Sequence, residues 1–355
     1  MNILWLNHRD PKNPRAGGAE RTIYEVAKRL VQQGNSVTIY CPKWIGSPDR
    51  EIMDGINIVR RGSSFSIHLL LPIFLIKNKF DIIIIDLAHG VPWIFPVLMK
   101  KNNVVFFRHL HSRSLPGQVN LILSKFITFL EKLYPVLYRN KKIVTESISS
   151  EEDLIKLGFS KENIIKIAPG VDLNMFKTGK KSQSVQLVYF GGIRKYKRPE
   201  FSIEVYEELR EKIKDLKLVI TGNGPLLRKM KEDVNNKNYN IDFLGRIDSN
   251  QLSRIVSESW INLHFSVTEG WGYSILESSA SGTPTVAFRV PGVIDTLKDN
   301  INGFLVDDIS EFRDKILYII GKEDIFINNS RKFAENFTWE KTVSKWNEVL
   351  QNEVT

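Results

Sequence analysis

The most informative stretch of this 355-residue sequence is Thr268-Glu-Gly-Trp-Gly-Tyr-Ser-Ile-Leu-Glu277, which continues as Ser278-Ser-Ala-Ser-Gly-Thr-Pro-Thr-Val-Ala287. The apolar run 260–265 before it predicts a buried strand. The glycine-containing run 266–272 predicts a loop, and residues 273–281 predict a short helix that ends at Gly282. Glu269 therefore lies in the loop and Glu277 about one turn into the helix.

This loop and helix have the chemistry of a site that binds a sugar together with its nucleotide. Glycines let backbone amides come close to a ligand, and a helix start offers unpaired N–H groups to a diphosphate. A carboxylate only accepts hydrogen bonds, so its two oxygens can receive both hydroxyls of a vicinal diol, which ribose and hexoses present. Glu269 and Glu277 are candidate sugar ligands for this reason. The alternative is that they form a solvated helix cap and an exposed helix face.

In this strand, loop and helix context, followed by Ser281-Gly-Thr-Pro284 and another strand, the stretch resembles the retaining family 4 glycosyltransferases (glycosyltransferases group 1) of the GT-B fold. The resemblance implies an α/β protein with two Rossmann-like domains whose parallel sheets face a central cleft. It also implies that Glu277 holds the donor ribose and Glu269 the donor sugar. The adjoining donor-binding residues would be Gly270, Trp271, Gly272, Tyr273 and Ser274.

A length of 355 residues suggests two domains, and the hydrophobic residues, which make up 42% of the chain, are sufficient for a core in each. The single Cys41 excludes an intrachain disulfide framework and favours a reducing compartment. The chain starts directly with the strand-like run 2–6, without a signal or transit pattern, and no apolar run reaches the roughly 20 residues that span a bilayer. We expect a cytoplasmic protein that is soluble or peripheral on the cytosolic membrane face.

Positive charge is concentrated in the first half of the chain. Residues 1–168 contain 24 Lys and Arg against 14 Asp and Glu, a net charge of +10, whereas residues 169–355 contain 26 of each kind. A basic surface can bind nucleic acid, anionic lipid or a phosphorylated substrate. Because the sequence has no zinc-ligand set and no nucleic-acid module, we do not expect nucleic acid as a partner.

Strands and helices alternate in both halves, which predicts two parallel sheets covered on both faces. The helix-like run 19–33, closed by Gly34, is an example from the first half. The strand-like runs are 3–6, 37–40, 56–59, 81–85, 104–107, 142–145 and 164–167 in the first half, and 186–190, 217–221, 241–244, 261–265, 283–287 and 303–306 in the second.

The domain boundary is expected at Pro169-Gly-Val-Asp172, continuing through the polar run 177–184. The first domain would be residues 1–168 and the second 169–337. The last segment, 338–355, has an apolar stripe at helical spacing formed by Trp339, Val343, Trp346 and Leu350. The resemblance implies that this helix crosses back onto the first domain, although its periodicity fits packing on its own domain equally well.

The basic loop Gly191-Gly-Ile-Arg-Lys-Tyr-Lys-Arg198 follows a predicted strand and precedes a helix near Pro199. Fixed cations can stabilise the charge that develops on a departing nucleotide diphosphate. The resemblance places Lys197 at the family's diphosphate-binding lysine, but Gly192 stands where the family has arginine. Arg194 is the candidate substitute for that arginine. The alternative is a solvated basic loop.

The glycine-rich segment Pro14-Arg-Ala-Gly-Gly-Ala-Glu20 follows the first predicted strand. Gly17 and Gly18 permit close backbone approach to a donor phosphate or an acceptor, although tight turns also use such pairs. In the second half, Phe243-Leu-Gly-Arg-Ile247 lies where the family places the nucleotide base, so Arg246 and Ile247 are donor-binding candidates together with Gly192.

The segment Arg108-His-Leu-His-Ser112 follows the predicted strand 104–107. Side chains at the carboxyl end of a parallel strand point into the ligand crevice. The resemblance favours His109 as the histidine near the reacting sugar, and His111 is its rival. A structural histidine is the alternative for either residue.

Two apolar segments bordered by cations indicate which class of acceptor the protein uses: residues 66–76 and residues 119–138. Such segments favour a membrane interface and anionic lipid, but buried core helices would look similar. We therefore expect a lipid-linked or oligosaccharide acceptor and a peripheral contact with anionic membrane.

These observations predict a hexosyltransferase that uses a UDP- or GDP-sugar, with no cofactor and no metal, and the family resemblance implies that it retains the anomeric configuration. Catalytic candidates are His109, Glu269, Lys197 and Arg194. The product would be a cell-surface polysaccharide, a glycolipid or a protein glycan. A nucleotide-sugar epimerase of the same fold and a non-catalytic nucleotide-sugar-binding subunit are the alternatives.

Overall fold

The chain forms two compact units, residues 1–170 with 339–355 and residues 171–338. The computed structural model describes residues 1–88, 90–99, 101–114 and 120–354, without the side chains of residues 113 and 114. Each unit is an α/β structure with one main sheet.

The first unit alternates strands and helices over residues 2–166. Its elements are β1 (Asn2–Leu6), α1 (Gly18–Gln32), β2 (Ser36–Cys41), β3 (Arg50–Met53), β4 (Ile56–Arg60), α2 (Ser66–Lys77), β5 (Ile82–Asp86), α3 (Phe95–Leu98), β6 (Asn103–Phe107), α4 (His111–Ser114), α5 (Leu121–Lys132), α6 (Tyr134–Leu137), β7 (Ile143–Thr145), α7 (Ile148–Leu157) and β8 (Ile164–Lys166).

Its sheet has the strand order β3-β4-β2-β1-β5-β6-β7-β8, and all neighbours are parallel except β3, which is antiparallel to β4. Strands β5 and β6 are buried along their whole length, as expected for strands covered on both faces. The order reverses between β1 and β5. Loops after these two strands therefore border the crevice at which open α/β sheets bind ligands.

The second unit continues the alternation. Its elements are β9 (Gln186–Phe190), α8 (Phe201–Leu209), β10 (Lys217–Thr221), α9 (Leu227–Val234), β11 (Ile241–Gly245), α10 (Ser249–Glu258), β12 (Ile261–His264), α11 (Tyr273–Ala280), β13 (Thr285–Phe288), α12 (Val293–Thr296), β14 (Gly303–Val306), α13 (Glu311–Ile320) and α14 (Glu323–Ala334). Its sheet is parallel in the order β11-β10-β9-β12-β13-β14. The order reverses between β9 and β12, so the loops after these strands border the corresponding crevice.

The last helix, α15 (Trp339–Val354), belongs to the first unit. Its Trp346 ring lies 5.4 Å from the Trp5 ring and 5.1 Å from the Phe106 ring. Thr342 Oγ1 donates a hydrogen bond of 2.8 Å to Ala168 O. Aromatic contacts at these centroid distances are a large part of a core's packing.

All thirteen predicted strands are present, with ends that differ by at most two residues. The predictions missed β3 and with it the antiparallel edge of the first sheet. Strand β3 alternates exposed and half-buried residues, so it lacks the continuous apolar pattern of the other strands. The sequence did contain a signal for this hairpin, because an Asp-Gly pair such as Asp54-Gly55 is typical of tight hairpin turns. In the structure both residues have positive φ and form the turn between β3 and β4.

Candidate functional site

Two loops of the second unit meet at its crevice, one after β9 and one after β12. The Val267 amide donates to Tyr196 O at 3.0 Å, and Arg198 Nε donates to Phe265 O at 2.7 Å. Arg198 adopts a left-handed conformation (φ 46°) and its guanidinium lies over the Phe288 ring at 4.4 Å. These contacts fix the position of Lys197, which precedes Arg198, against the loop that carries Glu269.

Glu269 is the centre of a buried polar cluster. Its Oε1 accepts from Lys197 Nζ and, at 2.6 Å, from Ser266 Oγ. His264 Nε2 lies 3.2 Å from the same oxygen. The Glu269 amide donates to Pro291 O at 3.0 Å, and a Cβ at Gly292 would lie 2.1 Å from Glu269 O, so the Pro291-Gly292 turn packs directly on this backbone.

The electrostatics of this cluster favour the ion pair. Burial alone would raise the pKa of Glu269, but the Lys197 ammonium and the His264 ring hold it well below its usual range. Burial acts to lower the pKa of Lys197, and the Glu269 charge reverses that, so the pKa is raised. The carboxylate and the ammonium are therefore both charged at neutral pH. The side chains remain 12% and 18% exposed, which leaves room for a ligand to reach them.

Glu277 lies on α11, whose residues 275–280 are all buried. The helix begins after Gly272, where a Cβ would lie 2.4 Å from Thr296 Oγ1. It ends in the turn that the Ser-Gly-Thr-Pro motif predicts, with Gly282 at φ 68° and Ser278 Oγ donating to Thr283 O at 2.7 Å. Trp271, just before the helix, is buried with its ring 5.5 Å from the Phe337 ring.

The loops after β9, β10 and β11 pack backbone against backbone. A Cβ at Gly222 would lie 1.8 Å from Gly191 O, and one at Gly224 would lie 2.2 Å from Ile193 O. The Gly222 amide donates to Gly245 O at 2.7 Å. Thr221-Gly-Asn-Gly-Pro225 is therefore a turn that only glycine can complete, and it places the loop around Gly192 beside the segment that leads to Arg246 and Ile247.

The cations of the basic loop differ in their surroundings. Lys197 contacts Glu269, whereas the Arg194 side chain is exposed and its amide donates to Gly192 O at 3.0 Å. Arg246 is also exposed, and Ile247 is half-buried. The alternative of a fully solvated basic loop is therefore wrong for Lys197.

In the first unit, Gly17 precedes the first turn of α1 and its amide donates to Glu20 Oε2 at 2.7 Å. Gly17 and Gly18 are both exposed. The loop between β1 and α1 is fastened by Asp10, which accepts 2.8 and 2.9 Å hydrogen bonds from the buried Arg60.

His109 and His111 follow β6, with their rings 5.1 Å apart. His111 is tied to its surroundings, because its amide donates to Glu131 Oε1 at 2.6 Å and its Nε2 lies 2.9 Å from Ala88 O. These contacts give His111 a structural role. His109 is half-buried, and its place near the reacting sugar stays a prediction.

The sequence analysis missed the group that precedes His109. Arg108 is buried and pairs with Asp86 at 2.9 Å and with Glu146 at 2.9 Å. It also donates to Ala19 O at 3.0 Å and to Thr22 Oγ1 at 3.3 Å. Each of the three charged residues ends or follows a predicted strand of one sheet, and that shared position was the signal that could have found them. His264 and Ser266 were missed because they were assigned only to a buried strand and to the start of a loop.

Within the part of the chain that the structure describes, His, Cys, Asp and Glu side chains do not cluster in threes around a possible metal position. Over the same residues, every helix is too short or too polar to span a bilayer.

Residues 16–175 match the model of Glycosyltransferase Family 4, and residues 171–338 match that of Glycosyl transferases group 1. An uncharacterized glycosyltransferase of Haemophilus influenzae is 27% identical over 363 aligned residues, which cover 94% of this chain and 96% of the relative. The chain therefore belongs to the group 1 glycosyltransferases, and the family prediction is confirmed.

Solved structures show the same fold. Sucrose-phosphate synthase of Thermosynechococcus elongatus has a TM-score of 0.83 at 17% identity, with 99% of this chain and 98% of that chain covered. HepE of Anabaena, solved in complex with UDP-glucose, has a TM-score of 0.74 at 16% identity, with 99% and 100% covered. The predicted GT-B fold class is confirmed.

Proposed function

We propose that the protein transfers a hexose from UDP- or GDP-sugar to a glycan or lipid-linked acceptor, with retention of anomeric configuration. The pathway would be the assembly of a cell-surface polysaccharide, a glycolipid or a protein glycan. The observation that carries the proposal is the Lys197–Glu269 ion pair at the crevice of the second sheet, followed by Glu277 on α11. UDP-glucose bound to HepE, a neighbour of the same fold, supports a nucleotide-sugar donor.

The donor roles follow from the chemistry of each group. Glu277 accepts the ribose hydroxyls and Glu269 accepts hydroxyls of the donor sugar. An ammonium has three N–H donors, so Lys197 can keep its hydrogen bond to Glu269 and still donate to a phosphate oxygen. Arg194 adds a second, exposed cation at the same loop. The remaining donor contacts would come from Gly17, Gly18, Gly192, Arg246, Ile247, Gly270, Trp271, Gly272, Tyr273 and Ser274.

In the transfer step, the bond between the sugar C1 and the β-phosphate oxygen breaks, and the nucleoside diphosphate leaves with the electron pair. An acceptor hydroxyl oxygen forms the new bond to C1 on the same face. Its proton passes to the departing phosphate. His109 would contact the sugar near the bond that breaks. Lys197 and Arg194 stabilise the charge that builds up on the diphosphate, which is where fixed cations contribute most to rate.

This scheme uses no metal, since the two cations neutralise the leaving group. Full activity in EDTA is therefore expected. A loss of activity that Mg²⁺ or Mn²⁺ restores would contradict this part of the proposal.

The acceptor surface is proposed on two helices of the first unit. Leu69, Ile73 and Ile76 on α2 are more than half exposed, and three residues at the same spacing on α5 are too: Ile122, Phe126 and Phe129. The opposite face of α2 is buried through Ile67, Leu71 and Leu75. The core interpretation is thus correct for one face of α2 and, in the second segment, for Ile127, Tyr134 and Tyr138. Val119, the first residue of the predicted segment 119–138, lies outside the described residues.

The charge around these exposed apolar faces supports anionic membrane as their partner. Lys125 and Lys132 are exposed on α5, where they line a surface cavity of about 270 Å³ together with Ser124, Thr128 and Phe129. Lys77 ends α2. Apolar side chains bordered by cations bind the boundary between lipid headgroups and acyl chains, and a lipid-linked acceptor would be presented there.

A melting-temperature screen with UDP-glucose, UDP-N-acetylglucosamine, UDP-galactose and GDP-mannose tests the donor class. A ligand at ~100 times its dissociation constant adds about 2.7 kcal/mol of stability. The selected donor, labelled in the sugar, should then pass its label to a lipid or glycan extract. If none of these donors stabilises the protein and none transfers its label, the proposed function is wrong; an epimerised sugar nucleotide as the product would instead identify an epimerase.

A further inference from the structure

Three donors converge on a single oxygen of Glu269. Lys197 Nζ, Ser266 Oγ and His264 Nε2 all approach Oε1, the last two at 2.6 and 3.2 Å. Among the described residues, the side-chain partners of this carboxylate all fall on that oxygen. Oε2 is therefore the oxygen that remains to accept a hydrogen bond from a ligand.

His264 has a second contact that defines its tautomer. Its Nδ1 lies 3.1 Å from Ser274 Oγ. If Nδ1 carried the proton, the lone pair of Nε2 would face the Glu269 carboxylate, which is repulsive. With the proton on Nε2, the positive N–H edge of the ring lies beside the Glu269 carboxylate at 3.2 Å in a bent contact, and the Ser274 hydroxyl donates to Nδ1, so both contacts are favourable.

The surroundings of His264 favour the neutral form of its ring. The residue is 5% exposed, and burial lowers its pKa, as does the nearby Lys197 charge, despite the opposing effect of Glu269. A neutral ring in this position holds its N–H dipole against the Glu269 carboxylate. Ser274 is in the first turn of α11, so the ring also connects Glu269 to the helix that carries Glu277.

We propose that His264 is a positioning residue that, as the Nε2–H tautomer held by Ser274, fixes Oε1 of Glu269 and leaves Oε2 for the sugar of the donor. This inference rests on the proposed function, because it assumes that Glu269 binds the sugar part of a sugar nucleotide. It assigns His264 no contact with the substrate.

The first test observes the tautomer without any ligand. Long-range ¹H–¹⁵N correlation spectra of the full-length protein at pH 7, with His264→Gln used to assign the signal, should show a neutral ring protonated at Nε2. A ring protonated at Nδ1, or an imidazolium, would overturn the proposal whatever the protein's donor is.

The second test separates the sugar from the nucleotide by calorimetric titration with UDP-glucose and with UDP. GDP-mannose and GDP are used if the melting screen selects guanosine. His264→Leu should weaken UDP-glucose binding about tenfold or more, because the polar contact that holds the Glu269 carboxylate in place is lost, while UDP binding stays within about twofold. His264→Gln should recover most of the loss, since its amide nitrogen can donate to Oε1.

A control variant on the same strand tests for a merely structural effect. Asn262 is buried on β12, two residues before His264, and its Nδ2 donates to Thr285 Oγ1 at 3.0 Å. Asn262→Leu should lower the melting temperature without changing the ratio of the two affinities. An equal loss for UDP-glucose and UDP in His264→Leu, or no loss for either, would refute the positioning role. A wild-type protein that binds no sugar nucleotide would refute the proposed function instead, and the tautomer spectrum would still decide whether His264 holds Glu269.

Discussion

Arg108, buried in the first unit, and Lys197, half-buried in the second, are both cations near the carboxyl ends of sheet strands, but they differ in how many of their N–H donors the protein occupies. A guanidinium has five N–H donors. All five of Arg108 have acceptors, which are the Asp86 and Glu146 carboxylates, Thr22 Oγ1 and Ala19 O. Lys197 has three donors, and Glu269 is its acceptor within the described residues.

The difference separates a cation that holds the fold together from one that can serve a substrate. Arg108 joins the ends of β5, β6 and β7 to the first turn of α1 and has no donor left for a ligand. Lys197 is paired but has donor capacity left, and its carboxylate partner has an oxygen left. Low exposure and positive charge alone would make Arg108 and Lys197 equally good candidates for binding a substrate. The number of N–H donors that the protein leaves unoccupied is therefore the more informative criterion.

The largest effect is expected for Arg108→Met, which leaves Asp86 and Glu146 buried without their cation. Breaking a buried ion pair from one side typically costs about 3–5 kcal/mol of folding stability. Urea unfolding measures the loss, and Arg139→Met, at an exposed arginine of the same unit, should change stability by less than ~0.5 kcal/mol. A loss below about 1 kcal/mol would mean that Arg108 does not hold the fold and would remove the contrast with Lys197.

Lys197→Met should cost less stability, about 3 kcal/mol at pH 7, since one partly exposed carboxylate loses its cation. In the intact protein the pKa of Glu269 is held low, so the pair's contribution is present at pH 7 and is lost only as the pH falls through that lowered pKa. Without the ammonium, burial raises the pKa of Glu269. The variant should therefore recover stability between pH 7 and pH 5, while the wild type does not.

The double variant Lys197→Met/Glu269→Gln sharpens this test. Removing both charges should restore most of the stability but none of the transfer activity. Recovery of activity in the double variant would show that the pair is structural, as Arg108 is.

Glu277→Ala tests the other end of the donor site. A lost diol contact leaves donor hydroxyls unpaired, at a cost of roughly 1–3 kcal/mol in binding. Calorimetric titration should show this loss for the sugar nucleotide and for the nucleoside diphosphate alike, because the ribose is common to both. Unchanged affinity in a folded variant would exclude Glu277 from the site.

The smallest expected effect per residue is on the free energy of membrane binding, at the exposed lysines of the first unit. Each lysine near an anionic membrane contributes about 1 kcal/mol of binding, and salt screens exposed charges over about 10 Å at 0.1 M. Lys125→Glu/Lys132→Glu should weaken cosedimentation with acidic liposomes. The matched pair Lys229→Glu/Lys231→Glu, at exposed lysines of α9 in the second unit, should not. Failure of the wild type to bind acidic liposomes at low salt would favour a soluble acceptor.

The sequence predicted the parts of this molecule that depend on local pattern. Continuous apolar strands located both sheets, and Gly282 and Pro284 located the end of α11. Strand β3 was not predicted because an edge strand with half-exposed residues lacks that pattern. The sequence does not show which side chains meet across loops, so the contact of Lys197 with Glu269, 72 positions away, emerged only from the structure.

His264 and Arg108 illustrate the same limit more sharply. Each is one polar residue at the end of an apolar strand. The partners of Arg108 come from the ends of neighbouring strands and from α1, and those of His264 come from the loop after its own strand and from α11. Topology decides the partners of Arg108, because adjacent parallel strands bring their carboxyl ends together regardless of sequence distance. A polar residue at the end of a predicted parallel strand is therefore a better candidate than its type alone suggests.

The place of α15 has a consequence for synthesis on the ribosome. The second unit is one continuous stretch, residues 171–338, whereas the first unit is completed only by residues 339–355. Trp346, packed on Trp5 and Phe106, is synthesised only after the whole second unit. The first unit therefore cannot complete its core, and the indole of Trp5 stays uncovered, until α15 has been made. A chain truncated after residue 338 should contain a protease-resistant second unit and a first unit that chaperones still recognise.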